Sequence, residues 1–243
     1  MRFRTARRDP GLTVVEGFHA LKHALRFGAP IEEAVAVDPA RLEELAAELA
    51  PDLRGRLAPL VERIDREHLA ELVPLVPSTG VAAIARRPPL DPAALLADAS
   101  PAPVVLLEDP RNMGNIGACV RVAAAAGAAG VLTTGEHDPW HPDAVRGAAG
   151  LHYALPVGRV EALPESGRPL LAVDPEGEEL RPGELPPRAV LAFGTERHGI
   201  SSGLLERADA RVAIPMREGV SSLNLATSVA IVLFSRLLAA RGG

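Results

Sequence analysis

The second half of the chain alternates short aliphatic runs with helix-like stretches. That alternation confines it to a mostly parallel β-sheet with helices on both faces. PVVLLED (103–109), VLTT (131–134), LLAVD (170–174), AVLAFG (189–194) and RVAIP (211–215) read as strands. NIGACVRVAAAAG (115–127) reads as a helix closed by Gly127, and 142–149 as a helix opened by Pro142. A last helix is expected over 221–240, capped by Ser221 and Ser222. In sheets of this kind ligands bind beyond the carboxyl ends of the strands.

The first part, about 10–86, is a smaller mixture. GFHALKHALRF (17–27) has helical spacing and 39–50 reads as a helix, while 34–37, 57–64 and 80–85 read as strands. A composition break at 86–103, RRPPLDPAALLADASPAP, carries five prolines and few large apolar residues. It predicts a linker at 91–103 between domains 1–90 and 104–243. A chain of 243 residues with 47% hydrophobic residues can bury a core in each. Those cores must be aliphatic. With one Trp, one Tyr and five Phe, the chain has few aromatic platforms for stacking bases.

A net charge of −5 argues against a protein that coats nucleic acid electrostatically, but leaves room for a local basic patch. Lys22 is the only lysine, and the opening MRFRTARR groups Arg2, Arg4, Arg7 and Arg8. This terminus reads either as a solvated, disordered arm or as an arm that touches RNA phosphates. The single cysteine, Cys119, excludes an internal disulfide and suits a reducing cytosol. No secretory signal is visible, and the apolar runs at 122–135 and 225–235 are too short to span a bilayer, so a cytoplasmic protein is expected.

Three segments sit at strand ends. In LEDPRNMGNIGACVR (107–121) a strand meets a glycine-bearing turn and a helix carrying Asn115 and Arg121. It lacks the third glycine of a dinucleotide fingerprint and the Gly-Lys-Ser/Thr of a P-loop. Alone, Asn115 fits a turn or helix cap, and Arg121 a solvated helix arginine. In LAFGTERHGIS (191–201) Gly194 and Gly199 bracket a polar loop with Glu196, leaving backbone groups open to a ligand. In IPMREGVSSLNLA (214–226) a strand end leads through Ser222 to Asn224, a polar group at the head of an otherwise apolar helix.

Taken together, N-x-G-x-x-x-R, G-x-E-x-x-G and I-P-M-x-x-G-x-x-S-L-N resemble the three ordered motifs of the SpoU (TrmH-like) RNA ribose 2′-O-methyltransferases. The matching positions are Asn115, Gly117 and Arg121, then Gly194, Glu196 and Gly199, then Ile214, Pro215, Met216, Gly219, Ser222, Leu223 and Asn224. HPDAVRGAAG (141–150) is similar to the family's helix between motifs at Arg146 and Gly150. It departs at Ala148, where a hydroxyl residue is often seen. VVEGFHALKHAL and PSTGVAAIARRP more weakly resemble the opening and close of an L30e-like substrate-binding domain.

The resemblance implies an α/β fold: a C-terminal SPOUT-type α/β-knot, with a trefoil knot in a mostly parallel sheet, behind a smaller N-terminal α/β domain. It implies S-adenosylmethionine held by loop residues Phe193, Gly194, Gly199, Ile214, Met216, Ser222 and Leu223, and a homodimer through the catalytic domain. Arg121, Asn115, Glu196, Ser222 and Asn224 are the expected catalytic set, and Arg146, Arg4, Arg7 and Arg8 the expected RNA contacts. The expected substrate is structured RNA, rRNA before tRNA, with no metal and no membrane. The alternatives are a tRNA ribose methyltransferase, a transferase to a base nitrogen, and a non-catalytic RNA-binding protein that kept the fold. Cys119 as a covalent nucleophile is disfavoured by its apolar helix, and His137 with His141 as a metal pair by Pro139 and Pro142.

Overall fold

The computed structural model describes residues 2–195 and 198–242. They form two compact units, 1–89 with 140–154, and 90–139 with 155–243. The chain therefore passes between units three times, not once.

In the first unit, α1 (Arg2–Ala6), β1 (Leu12–Glu16), α2 (Phe18–Arg26), β2 (Ile31–Ala36), α3 (Pro39–Leu49), β3 (Glu62–Arg63), α4 (Arg66–Leu72) and β4 (Val81–Arg86) follow one another. The sheet runs β1-β4-β2-β3, antiparallel except for the short β2–β3 pair. Phe3, Ala6, Val14, Val35, Leu69 and Ile84 share its core. The basic N-terminus is thus the helix α1, anchored by buried Phe3 and Ala6, not a disordered arm.

The strand expected over 57–64 is mostly absent. Pro51 and Pro59 open two 3₁₀ turns, and only Glu62–Arg63 pairs. A proline has no N–H for a ladder. The Glu43 carboxylate instead accepts the backbone N–H groups of Gly55, Leu57 and Ala58 at 2.8, 3.0 and 2.7 Å. Those bonds, with Ala58 foremost, hold its pKa below the usual carboxylate value.

The second unit contains α5 (Pro92–Ala97), β5 (Val104–Leu107), α6 (Met113–Ala125) and β6 (Gly130–Thr133). After α7 (Pro142–Gly147), which belongs to the stretch packed with the first unit, come β7 (Val157–Arg159), β8 (Leu170–Glu179), β9 (Val190–Phe193), α8 (Ser202–Arg207), β10 (Ala210–Ala213) and α9 (Leu225–Gly242). Six strands pair in the order β10-β8-β9-β5-β6-β7, every pair parallel. β5, β6 and β9 are buried at every position, which is why they read as unbroken aliphatic runs.

Within the proline-rich stretch 91–103 lies a helix. Asp91 caps α5 by accepting from Ala94 N, Pro92 supplies the first helical position, and Leu95 and Leu96 enter the sheet's core. Arg168, 4% exposed, fastens the far end of this helix. Its guanidinium donates to the carbonyls of Leu96, Ala102, Arg188, Leu95 and Asp98 at 2.9, 2.8, 3.2, 3.3 and 2.8 Å. Burial, and secondarily Arg188, lowers its pKa. Removing the side chain takes this donor from the Leu95, Leu96, Ala102 and Arg188 carbonyls, while Asp98 O keeps the Arg188 guanidinium, so Arg168→Ala is expected to cost about 3–5 kcal/mol in urea unfolding. A loss under about 1 kcal/mol, the surface-substitution range, would contradict this role.

Candidate functional site

The second unit has a cavity of about 340 Å³ at the carboxyl ends of its strands. Three segments build it. β9 ends at Phe193 and leads into Gly194, Thr195 and Gly199, β10 leads into Ile214 and Met216, and Ser221, Ser222 and Leu223 precede α9. All seven residues singled out above as cofactor-binding line this one space.

The local backbone explains the glycines. Thr195 and Gly199 exchange N–H···O bonds of 3.0 and 3.1 Å, and Gly199 takes a left-handed φ of 65°. The turn doubles back so tightly that a Cβ on Gly194 would lie 2.0 Å from the Gly199 carbonyl carbon. Gly219, at φ 84°, closes the turn in which Val220 N donates to Arg217 O at 3.1 Å.

A fourth wall was not read from the sequence. The β10–β8 register jumps from Arg211↔Ala172 to Val212↔Glu178, so 173–177 bulges out of the ladder. Val173, Asp174 and Pro175 of that bulge line the cavity. Arg211 donates to Asp174 Oδ1 at 2.9 Å and to Glu176 Oε2 at 3.1 Å, and the Asp174 bond foremost raises its pKa. Gly177 is needed there, since a Cβ would sit 2.5 Å from the Arg211–Val212 backbone.

The helix expected from 221 begins at Leu225, so Ser221 and Ser222 do not cap it. They lie in the preceding loop and face the cavity. The cap is Asn224, whose Oδ1 accepts from Ala226 N and Thr227 N at 2.9 and 3.3 Å. Those two backbone donors fix the amide's orientation. Its Nδ2 must then donate outward, and does so to Asn115 Oδ1 at 3.1 Å. The first and third motifs are joined by this bond. The backbone N–H of Asn115 donates to Oδ1 of Asn112, which caps α6, at 3.0 Å.

Arg121 is exposed on α6, about 9 Å along the axis from Asn115. It does not line the cavity, and among the described residues its side chain makes no hydrogen bond or ion pair. Glu196 lies outside the described residues. Arg4 and Arg8 are exposed. Arg7 and Arg146 both pair with the buried Glu16 of β1, Arg146 at 2.7 Å, and Arg146 also with Asp143 at 2.6 Å. The sequence gives no sign of a strained corner at Asp109, which has φ 42° and whose N–H donates to Thr134 Oγ1 at 3.1 Å.

Comparison with known proteins agrees with this geometry. Residues 102–234 match the SpoU rRNA methylase family. An uncharacterized tRNA/rRNA methyltransferase of Mycobacterium bovis is 34% identical over 203 residues, 78% of this chain and 70% of the relative. A 23S rRNA adenosine 2′-O-methyltransferase of Streptomyces azureus is 36% identical over 146 residues, 55% of this chain and 54% of the relative. Among solved structures, the SpoU methyltransferase AviRb of Streptomyces viridochromogenes in complex with AdoMet aligns with a TM-score of 0.79. It is 25% identical, and the alignment covers 100% of this chain and 98% of that one. The chain belongs to the SpoU rRNA methylase family.

Proposed function

We propose that this protein transfers a methyl group from S-adenosylmethionine to a ribose 2′-hydroxyl of a structured RNA, rRNA in preference to tRNA, in the cytoplasm. The observation that carries this reading is the cavity itself, where the two later motifs converge at strand ends and the first is tied to them through Asn115 and Asn224. Its contents suit the cofactor. Phe193, Ile214, Met216 and Leu223 offer apolar surface to an adenine and a thioether chain, and the glycine backbone offers amides and carbonyls. Thr195, Ser222 and the Asp174 carboxylate offer polar partners for ribose, amino and sulfonium groups.

The cofactor supplies an electrophilic methyl on a sulfonium. The residues of this chain must align the ribose oxygen with it and stabilise the charge that develops as the hydroxyl proton leaves. Arg121 is the proposed centre of that charge. A guanidinium holds its proton too tightly to serve as a base at neutral pH, so it grips the phosphate or polarises the hydroxyl, and the proton departs to a phosphate oxygen or water. Glu196 positions the RNA and Arg121. Ser222, on the cavity wall, holds the ribose side. Asn115 and Asn224 keep α6 and α9 in register beside it.

The same reading assigns the first unit, 1–89 with 140–154, to RNA binding as an L30e-like domain, and the second, 90–139 with 155–243, to catalysis in a trefoil-knotted α/β domain. Arg4 and Arg8 are the arginines best placed to reach phosphates, because Arg7 and Arg146 are spent on Glu16. It also assigns a homodimer through α9 and α6. α9 buries Leu225, Val229, Val232 and Leu233 within the chain, yet leaves Ile231 and Phe234 half-exposed and Leu238 64% exposed, spaced along one face.

Mapping ribose methylation in rRNA and tRNA from cells with and without the gene tests the activity. One 2′-O-methyl group is expected to vanish from rRNA, and unchanged maps would end the reading. Sedimentation at micromolar concentration is expected to give twice the chain mass, and Leu238→Glu to shift it toward monomer. A wild-type monomer would remove the dimer.

A further inference from the structure

We infer that Glu108 is the positioning residue that holds both ends of the cavity's glycine loop, and so sets the affinity of that cavity for its cofactor. This rests on the cofactor reading above. Glu108 follows the last residue of β5 and does not line the cavity. Its backbone N–H donates to Phe193 O at 2.8 Å, extending the β5–β9 ladder to the residue where the loop departs. Its carboxylate accepts from the residue where the loop returns: Oε2 from Ser201 N at 2.7 Å and Oε1 from Ser201 Oγ at 2.5 Å. The Ser201 oxygen also accepts from Leu204 N at 3.3 Å, which ties α8 to the same point. Between Phe193 and Ser201 the chain contributes Gly194, Thr195 and Gly199 to the cavity.

The two anchors differ in kind. The bond at Phe193 is backbone, survives any substitution at 108, and continues a buried strand pair. The anchor at Ser201 depends wholly on the carboxylate. Bonds to a charged acceptor are the stronger class, and a bidentate carboxylate also fixes direction. Without it, the returning end of the loop keeps buried Ile200 and its tie to α8 but loses the two bonds that fix Ser201, and ligand binding must order what Glu108 now holds in place. The effect on the ligand is therefore indirect. It should appear as weaker binding and faster local opening, not as a changed chemical step.

The experiment compares wild type, Glu108→Ala, Glu108→Gln and Ser201→Ala as full chains. Calorimetric titration with S-adenosylhomocysteine is combined with hydrogen exchange at Thr195 and Gly199, whose amides bond to one another's carbonyls. Glu108→Ala is expected to weaken binding roughly 10-fold, the effect of one charged hydrogen bond, and to speed exchange at both amides while β5 and β9 stay protected. Glu108→Gln keeps an acceptor for Ser201 N and is expected to fall between. Ser201→Ala keeps the backbone bond and is expected to do the same, so both remain informative if the alanine variant unfolds. Unchanged exchange at Thr195 and Gly199 in all three variants would overturn the inference. Failure of the wild type to bind the ligand would overturn the cofactor reading instead, and the exchange rates would still decide the role of Glu108.

Discussion

A Gly194→Ala variant is expected to keep its fold and lose most of its affinity for S-adenosylhomocysteine. The methyl group would have to occupy space 2.0 Å from the Gly199 carbonyl carbon, 2.2 Å from its oxygen and 2.3 Å from Ile200 N. These neighbours are backbone, so no side-chain rotation relieves the overlap. The loop must move, and Thr195 and Gly199, which line the cavity, move with it. Overpacking usually costs about 1–3 kcal/mol, and as a loss of binding that is about 5- to 150-fold. The fold should tolerate the change because Val190–Phe193, buried between β5 and β8, lies upstream of the clash. Gly203→Ala is the control. Nothing lies within 4 Å of a Cβ there, and the site is helical, so alanine should be neutral or slightly stabilising. Titration and urea unfolding of both variants separate the outcomes. Wild-type affinity in Gly194→Ala would mean that the loop does not form the binding wall.

The parts legible in the sequence were those whose burial is uniform. β5, β6 and β9 are covered on all sides, and their runs of Val, Leu and Ala announce a parallel sheet without any long-range information. The cavity's motif residues were legible because they follow strand ends in sequence. What stayed hidden depends on partners far along the chain. Nothing in VDPEG marks 173–177 as a cavity wall, since the bulge is held by Arg211, 37 residues beyond Asp174. Glu108 reads as the end of a strand until Ser201, 93 residues on, is seen against it. Arg7 and Arg146 read as free basic residues because Glu16 is 9 residues from one and 130 from the other.

Other differences come from local ambiguity. Serine and asparagine are both good caps, and the apolar run beginning at Leu223 does not say which of Ser221, Ser222 or Asn224 starts the helix. Only the bonds from Ala226 and Thr227 to Asn224 decide it. In 91–103 prolines outweighed a short helix signal, yet Asp91-Pro92 is a cap followed by a proline at the first helical position. In sequence the stretch 140–154 lies between β6 and β7. Its bonds run instead to β1 and α2: Thr13 Oγ1 donates to Trp140 O at 2.9 Å, and His23 Nδ1 meets Ala149 O at 2.7 Å. Gly150 takes φ 77° there, and a Cβ would fall 2.2 Å from Ala20 O.

Arg121→Ala is expected to abolish most methyl transfer while leaving cofactor affinity nearly intact. The side chain is exposed on α6, outside the cavity lining, and makes no hydrogen bond or ion pair among the described residues. It therefore has little to contribute to folding, and its removal should change stability by no more than roughly 0.5 kcal/mol. A charge with no partner among the described residues is available for an RNA phosphate or for the ribose hydroxyl. If it stabilises charge in the transition state, its loss should slow single-turnover methylation on the order of 100-fold or more. Arg121→Lys should recover little of that, because a compact ammonium does not reproduce the planar guanidinium fork. A solvated surface arginine predicts the same unchanged stability but normal turnover, so rate is the measurement that separates the two roles. Near wild-type turnover in Arg121→Ala would end the catalytic assignment. Loss of S-adenosylhomocysteine binding in a folded variant would move Arg121 into the cofactor site, which the cavity lining argues against. The remaining combination, slow transfer with intact cofactor binding and intact stability, is the one the exposed guanidinium leads us to expect.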